Sequence, residues 1–307
     1  MGDQTTQRTD NPPTVSIAVP IYNGERFLAQ ALDSLLGQSF QDFELIISDN
    51  ASTDKTAAIC QRYAARDARI RYIRQPMNIG APRNWNFVAE QARGKYLKWS
   101  SANDFCDSRM LEKCVAEMES EEDVVLCYGR TCLVDEDSNV RTEYANDVCA
   151  SDLRPSDRFT HLFRNLEMNN AQSGLIRIDT LRRTPLDRLY PHGDRVLMAE
   201  LVLYGRFVLL PEVLLYRRMG RETASMQLDT TDLTAFFDPR ARRSIRLDRL
   251  RLHFDYLVSV ARARIDFTEK LRSLSLAVRH AFWERKLIWH ELREQLGPRR
   301  PMSSPIR

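Results

Sequence analysis

Four short polar runs hold the residues of this 307-residue chain best suited to chemistry. They are Pro20-Ile21-Tyr22-Asn23-Gly24, Asp49-Asn50-Ala51-Ser52-Thr53-Asp54, Asn78-Ile79-Gly80 and Ser100-Ser101-Ala102-Asn103-Asp104. Together they offer carboxylates, amides and hydroxyls to a polar ligand, and the ionised acceptors make the stronger bonds to N–H donors. Neither the GxGxxG turn of dinucleotide folds nor the GxxxxGK[ST] phosphate loop occurs in the chain. A nucleotide bound at these runs is therefore held some other way. Asn50, Asn78 and Asn84 also have a plainer reading as turn residues and caps.

The segments in between show why these runs would meet. Apolar β-rich stretches at Thr14–Ile21, Phe43–Ser48, Ile70–Arg74, Lys95–Trp99 and Val124–Tyr128 predict strands. Helices are predicted over Gly24–Gln38, Asp54–Ala65, Pro82–Gln91 and Ser108–Met118, with Pro82 in a first turn. This alternation predicts right-handed βαβ units, an α/β fold with a mainly parallel sheet flanked by helices. Ligands of such sheets bind at the carboxyl ends of the strands, where all four polar runs fall. Glu136–Asp152 is polar and acidic and reads as an excursion, Ser156–Asn165 as a helix and Gln172–Ile178 as a strand.

Composition narrows the class. The chain is 43% hydrophobic and 28% charged with a net charge of +3, too small to point to nucleic acid. The charge is uneven: Arg221–Arg307 carries 18 Lys+Arg against 11 Asp+Glu, and the first 220 residues 27 against 31. The apolar runs Phe207–Leu210 and Val213–Leu215 are interrupted by Pro211 and Glu212 and fall short of a membrane span. Residues 1–13 are polar and Pro-containing and read as a disordered leader rather than a signal peptide. The six cysteines show no CxxC spacing and read as reduced core thiols, which together with the leader gives a cytoplasmic expectation.

The order of the motifs resembles the family-2 glycosyltransferases of the GT-A fold over about Val15–Met219. Val19-Pro20-Ile21-Tyr22-Asn23 is similar to the family's VPxYN strand end, and Ser48 to Asp54 to its DDGSTD turn. Asn78-Ile79-Gly80 with Arg83-Asn84 resembles NxGxxxxRN, and Gly94-Lys95-Tyr96 the GxY entry to the strand before the metal motif. The resemblance implies a catalytic domain over residues 14–225, binding a nucleotide-diphosphate sugar, UDP-type favoured, around Pro20, Tyr22, Asn23, Glu25, Asp49, Asn78, Gly80, Arg83, Ser101, Asn103 and Asp104. It implies that Asp49 accepts a ring N–H of the base and that Arg83 borders the diphosphate.

Two departures concern metal. Where the family places DxD this chain has Ser101-Ala102-Asn103, leaving Asp104, and a second family ligand, a His, falls at or near Met219. Hard cations prefer charged oxygens, and a thioether suits Mg or Mn poorly. The expectation is a divalent cation held weakly by Asp104 and Asn103, or dispensed with, while Arg217 or Arg218 meets the diphosphate.

The family's base comes from a Glu-Asp pair opening a helix. His192-Gly193-Asp194-Arg195 matches that place and makes Asp194 the expected base of an inverting transfer to a hydroxyl of a glycan, lipid-linked saccharide or other polysaccharide precursor. Asp194 reads equally as a helix N-cap. Asn169, Asn170 and Gln172 are candidates for acceptor hydroxyls, or loop residues only. The alternative for the whole chain is an inactive nucleotide-sugar-binding or scaffold module that lost chemistry with its metal motif.

Beyond residue 225 no family motif is placed, and residues 226–307 read as a helical C-terminal extension. Leu247, Leu250, Leu252, Tyr256, Leu257 and Val260 recur at helical spacing, as do Leu271, Leu274, Val278, Phe282, Leu287, Ile288 and Leu292, predicting two long amphipathic helices. Arg279, Phe282, Trp283, Arg285, Lys286 and Trp289 share the second. They suit attachment to an anionic membrane surface, with a helical cap or a homodimer interface as the other readings.

Overall fold

Strand β1 (Val15–Ile21) sends alternate side chains to two cores: Val15, Ile17, Val19 and Ile21 to one, Ala18 to the other. This period of two puts β1 in the middle of the protein. Both β1 and β2 (Phe43–Asp49) are buried along their whole length, as strands covered on both faces must be. The computed structural model describes residues 11–220, 236–240 and 247–296.

Helix α1 (Leu28–Leu36) follows β1, and α2 (Thr56–Ala64) follows β2. Next come β3 (Ile70–Arg74), α3 (Ala81–Glu90) and β4 (Tyr96–Trp99). The short β5 (Phe105–Cys106), α4 (Met110–Ser120), β6 (Val124–Val134) and β7 (Val140–Glu143) lead to α5 (Pro155–Asn165). A 3-10 turn, Asn170–Ser173, precedes β8 (Leu175–Arg177), α6 (Ile178–Leu181), α7 (Gly193–Tyr204) and β9 (Arg206–Arg218). Helices α8 (Asp248–Arg262), α9 (Phe267–Trp283) and α10 (Arg285–Leu296) close the described chain.

The nine-stranded sheet has the order β3-β2-β1-β4-β8-β6-β9-β5, with β7 paired to β6. The β3-β2-β1-β4 half is parallel, as the alternation of elements predicts. In the other half β8 runs antiparallel to β4 and to β6, while β6 and β9 are parallel. Two reversals restore the direction, so β6 and β9 end on the same edge of the sheet as β1, β2 and β4. Pro211 and Glu212 lie where the β6–β9 register shifts beside Gly129, a place that does not need the missing proline N–H.

Several spans differ from the sequence reading. The first helix starts at Leu28 rather than Gly24: residues 24–27 form a turn in which the Gly24 carbonyl accepts from Phe27 N and Leu28 N, and Asn23 before it is in left-handed backbone. The fifth strand extends to Val134, and Gln172–Ile178 divides into the 3-10 turn and β8. The second tail helix is broken at Glu284 into α9 and α10. Helices α8 and α9 pack on the α/β body: Leu252, Tyr256, Val260 and Ala277 share a core with α7, and the Tyr256 ring meets Phe163 edge-on at 4.6 Å. The leader lies outside the described residues except for 11–13, as does the 225/226 boundary. All six cysteines are free, five of them buried.

Candidate active site

At the ends of β1 and β2 two loops clasp each other. The amides of Asn23, Gly24 and Glu25 donate to Ser52 Oγ, Thr56 Oγ1 and Asp54 Oδ2 at 2.9, 2.9 and 3.0 Å. In return Thr53 N donates to Asn23 Oδ1 and Lys55 N to Glu25 Oε2, both at 2.8 Å. Asn23 and Glu25 are therefore pins between loops, a correction to their expected place on the ligand. Next to them the Pro20 backbone is buried and the Tyr22 ring is 49% exposed, free to stack on a base.

Asp49 is fully buried. Its carboxylate accepts from Ser52 N and from the Tyr72 hydroxyl, each at 2.8 Å, with the Arg74 guanidinium 3.8 Å away. The Arg74 side chain is itself half exposed. Asn50 and Asn78 bond to each other (2.8 Å), Asn50 Oδ1 accepts Ile79 N and Asn78 Oδ1 accepts Gly80 N, so both build the turn. Asn84 is buried against Ser48. Gly80 is required: its φ is +87°, and a Cβ there would lie 2.6 Å from the Phe237 carbonyl oxygen. Arg83 is exposed and makes no hydrogen bond or ion pair among the described residues.

The third tip meets β9. Asp104 Oδ1 accepts the Arg218 backbone N–H (2.9 Å). Burial pushes the Asp104 carboxyl up, opposed by that bond and by the charges of Arg217, Lys98 and Arg218. Asn103 N donates to Ser101 Oγ at 3.1 Å. Arg218 is 2% exposed, and its guanidinium donates to the carbonyls of Asn103, Asp135 and Glu136, to Gln30 Oε1 and to Ser138 Oγ, while stacking on Phe27. No donor remains for a phosphate, so Arg218 is scaffold, correcting its expected role. Arg217 is the cation left at the site: half-buried, it donates to Asn170 Oδ1 at 2.5 Å and acts electrostatically on Asp104 and Asp147.

The acceptor side follows without a gap. Asn170 Nδ2 donates to Asp147 Oδ1 (2.8 Å), and the adjacent Asn169 donates to Asp194 Oδ2 (2.9 Å) at the first turn of α7. Asp194 makes no N-cap bond: the cap position is His192, in left-handed backbone, and no side chain caps the helix. Gln172 donates to Asp187 Oδ2 at 3.0 Å. Burial, and then the Asp194 charge, push the Asp187 carboxyl up to about 7.

The raised Asp187 group has a consequence for stability. A carboxyl that binds its proton more tightly folded than unfolded stabilises the fold at low pH, and that contribution is lost as pH rises from about 4 through about 7. Asp187→Asn removes this slope. Urea midpoints at pH 5 and pH 8 should differ less in the variant than in the wild type, and an unchanged difference would count against the shift.

Lys98, Asp147 and Asp187 were not singled out from sequence. Only Lys98 left a signal, as a charge inside the apolar run Tyr96–Trp99. Its fully buried ammonium donates to the Ser173 carbonyl at 2.9 Å and acts on Asp104.

Residues 16–181 match the model of glycosyl transferase family 2. The chain belongs to glycosyl transferase family 2. Among curated relatives of the family, the uncharacterized glycosyltransferase EpsJ of Bacillus subtilis is 39% identical over 116 residues, 38% of this chain and 33% of EpsJ. The matched stretches span one third to about one half of the first such relatives. The backbone also follows the GT-A enzyme TarS of S. aureus, residues 1–349 in complex with UDP-GlcNAc, with a TM-score of 0.65 at 16% identity, covering 92% of this chain and 80% of that one. The mannosyltransferase PcManGT of Pyrobaculum calidifontis, in complex with GDP-Man and Mn2+, gives 0.51 at 15% identity, covering 94% and 86%. The α/β architecture of this family 2 chain is therefore the GT-A fold.

A divalent cation, common in family 2, is a poor fit to this donor set. Ser101 and Asn103 supply neutral oxygens, and the single carboxylate, Asp104, already accepts an amide and sits among Lys98, Arg217 and Arg218. A hard cation would face three positive side chains and one charged ligand.

Proposed function

We propose that the chain is an inverting glycosyltransferase that moves a hexose or related sugar from a UDP-type nucleotide-diphosphate donor to a hydroxyl of a saccharide or lipid-linked acceptor in polysaccharide assembly. One observation carries this reading: a continuous set of contacts along one edge of the sheet joins the donor-side loops to Asp194. Asn50 N bonds to the Ile21 carbonyl, Gly24 packs on Ala102, and Asp104 bonds to the β9 end, whose Arg217 leads through Asn170 and Asn169 to Asp194.

In this mechanism Tyr22, Pro20 and Asp49 receive the base, and Arg83 and Arg217 flank the diphosphate. The acceptor oxygen forms its bond to the anomeric carbon as the carbon–phosphate-oxygen bond breaks. Asp194 takes the hydroxyl proton, and the electron pair leaves with the diphosphate, whose growing charge meets Arg217. No step passes through a metal.

A thermal-shift panel of UDP, dTDP, GDP and CMP sugars, with and without Mn, tests the donor, since a ligand of the folded state raises the melting temperature. UDP sugars should shift it most. If none shifts it, the transferase reading fails; if a UDP sugar binds yet is neither transferred nor hydrolysed, the inactive scaffold reading takes its place. Transfer should persist in EDTA, and complete loss restored by Mn or Mg would reject metal independence.

The tail supports a peripheral place on the cytoplasmic face of the membrane. No described helix is long and apolar enough to cross one. Helix α9 is inverted, however: Phe267, Leu271, Val278 and Phe282, on one stripe, are all more than half exposed. Arg279 and Arg285 lie over the rings of Trp283 and Phe282, and Arg285, Lys286, Trp289 and Arg293 line one groove on α10. An apolar stripe rimmed by cations suits an anionic lipid surface. The chain should pellet with anionic vesicles at low salt and not with neutral ones; a soluble dimer that ignores both would replace this idea.

A further inference from the structure

The opposite stripe of α9 is equally unusual, because beside Ala277 it buries Glu269, Ser273 and part of His280. Eight buried side-chain polar atoms lack a partner among the described residues, and four of them lie along the α8–α9 seam: His253 Nδ1, Ser259 Oγ, Ser273 Oγ and His280 Nδ1. A buried polar atom without a partner is costly, so protein contacts alone leave the two imidazoles of this seam incompletely satisfied.

At the wide end of this seam His253 comes from α8, while His280 and Glu284, one helical turn apart, come from α9. Each offers one ligand atom, and the three atoms all lie within 4.8 Å of one another. His253 is 4% exposed, and its Nε2 stands 3.1 Å from Glu284 Oε2. The His280 ring stacks on Phe163 with centroids 4.7 Å apart and lies 5.2 Å from the His253 ring. Tyr256 meets both imidazoles edge-on. Aromatic walls thus fix the two rings, while Glu284, about one third exposed, opens to solvent.

From this geometry we propose that His253, His280 and Glu284 form a zinc site that staples α8 to α9, with water as the fourth ligand. Two imidazoles and one carboxylate are a donor set that zinc takes readily and that Mg and Ca do not. Zinc ligands at about 2.0–2.1 Å from the ion lie roughly 3.3 Å apart, so closure needs a side-chain shift of about an ångström, which the exposed Glu284 can make. The ion replaces the His253–Glu284 hydrogen bond. It also displaces Arg249, whose guanidinium lies 3.6 Å from Glu284 Oε2 and has solvent to turn to. This site lies outside the transfer machinery and does not depend on the proposed activity.

The full chain, stripped with chelator and dialysed, is titrated with Zn(II), and with Co(II) as a spectroscopic probe. One equivalent of zinc should bind and raise the melting temperature, and Co(II) should give the visible absorption of a four-coordinate site. His280→Ala and Glu284→Gln should each weaken zinc binding at least tenfold, and Asp104→Asn should not change it. Because His253 is buried and replacing it disturbs the core, Glu284→Gln is the deciding variant, with its circular dichroism compared to wild type. No zinc at one equivalent, zinc binding unchanged in Glu284→Gln and His280→Ala, or zinc lost in Asp104→Asn would each overturn the proposal.

Discussion

Asp194→Asn lowers turnover about a thousandfold while the donor sugar binds as before, the scale expected when a positioned general base is lost. The substitution keeps shape and keeps an oxygen for the Asn169 amide, which now donates at 2.9 Å to Asp194 Oδ2. It removes only the ability to take a proton. The donor contacts proposed above do not include Asp194, so affinity for UDP sugar by calorimetry should stay within about twofold, a difference worth under half a kcal/mol. Initial rates with saturating donor then separate the two readings of this residue. A variant that turns over normally would leave Asp194 as a helix-start residue and nothing more. The missing N-cap bond at α7 already weighs against that reading.

The second large effect concerns stability. Glu200, in the middle of α7, has 1% of its side chain exposed and is bonded at both oxygens by Arg262 of α8, one contact at 3.1 Å and the other shorter. Arg262→Ala strands this carboxylate in the core. Breaking a fully buried pair from one side costs about 3–5 kcal/mol, since the remaining charge keeps its desolvation penalty and loses its partner, and with Arg262 more than a third exposed the cost falls toward the lower end. The urea midpoint should fall accordingly, with circular dichroism confirming that the variant still folds at zero denaturant. Replacing both partners by Met should recover much of the loss, because an apolar pair has no charge to strand. Equal midpoints for the single variant and wild type would show the pair to be solvated.

Much of the fold was legible because its signals are local. Runs such as Val15–Ile21 and Phe43–Ile47 are mostly apolar, as suits a strand covered on both faces, so the parallel half of the sheet follows from reading along the chain. The other half was not legible: β8 is three residues long, and its antiparallel pairing with both β4 and β6 is a contact between distant segments that no periodicity announces. The site divides in the same way. Asp49 and Asp104 stand out in the sequence because they come at or after the end of a strand, and Asp194 because it opens a helix. Asn23, Glu25 and Arg218 are equally polar and equally well placed in the sequence, yet their side chains are engaged by neighbouring loops, and a sequence does not display that engagement. Asp187 was missed for the converse reason: its unusual proton affinity comes from burial and from Asp194 nearby, neither of which is a property of Pro185-Leu186-Asp187.

Under the role proposed for Asp194, the shared core of α7 with α8 and α9 gives the tail a hand in catalysis without touching a ligand. Asp194 sits on the first turn of a helix whose rear face rests on Tyr256 and Val260 and whose midpoint is tied to Arg262. Whatever seats the tail, whether an ion between its helices or a lipid surface beneath them, therefore also sets how firmly the proton acceptor is aimed. Occupancy far from the cleft would then be felt as reaction rate.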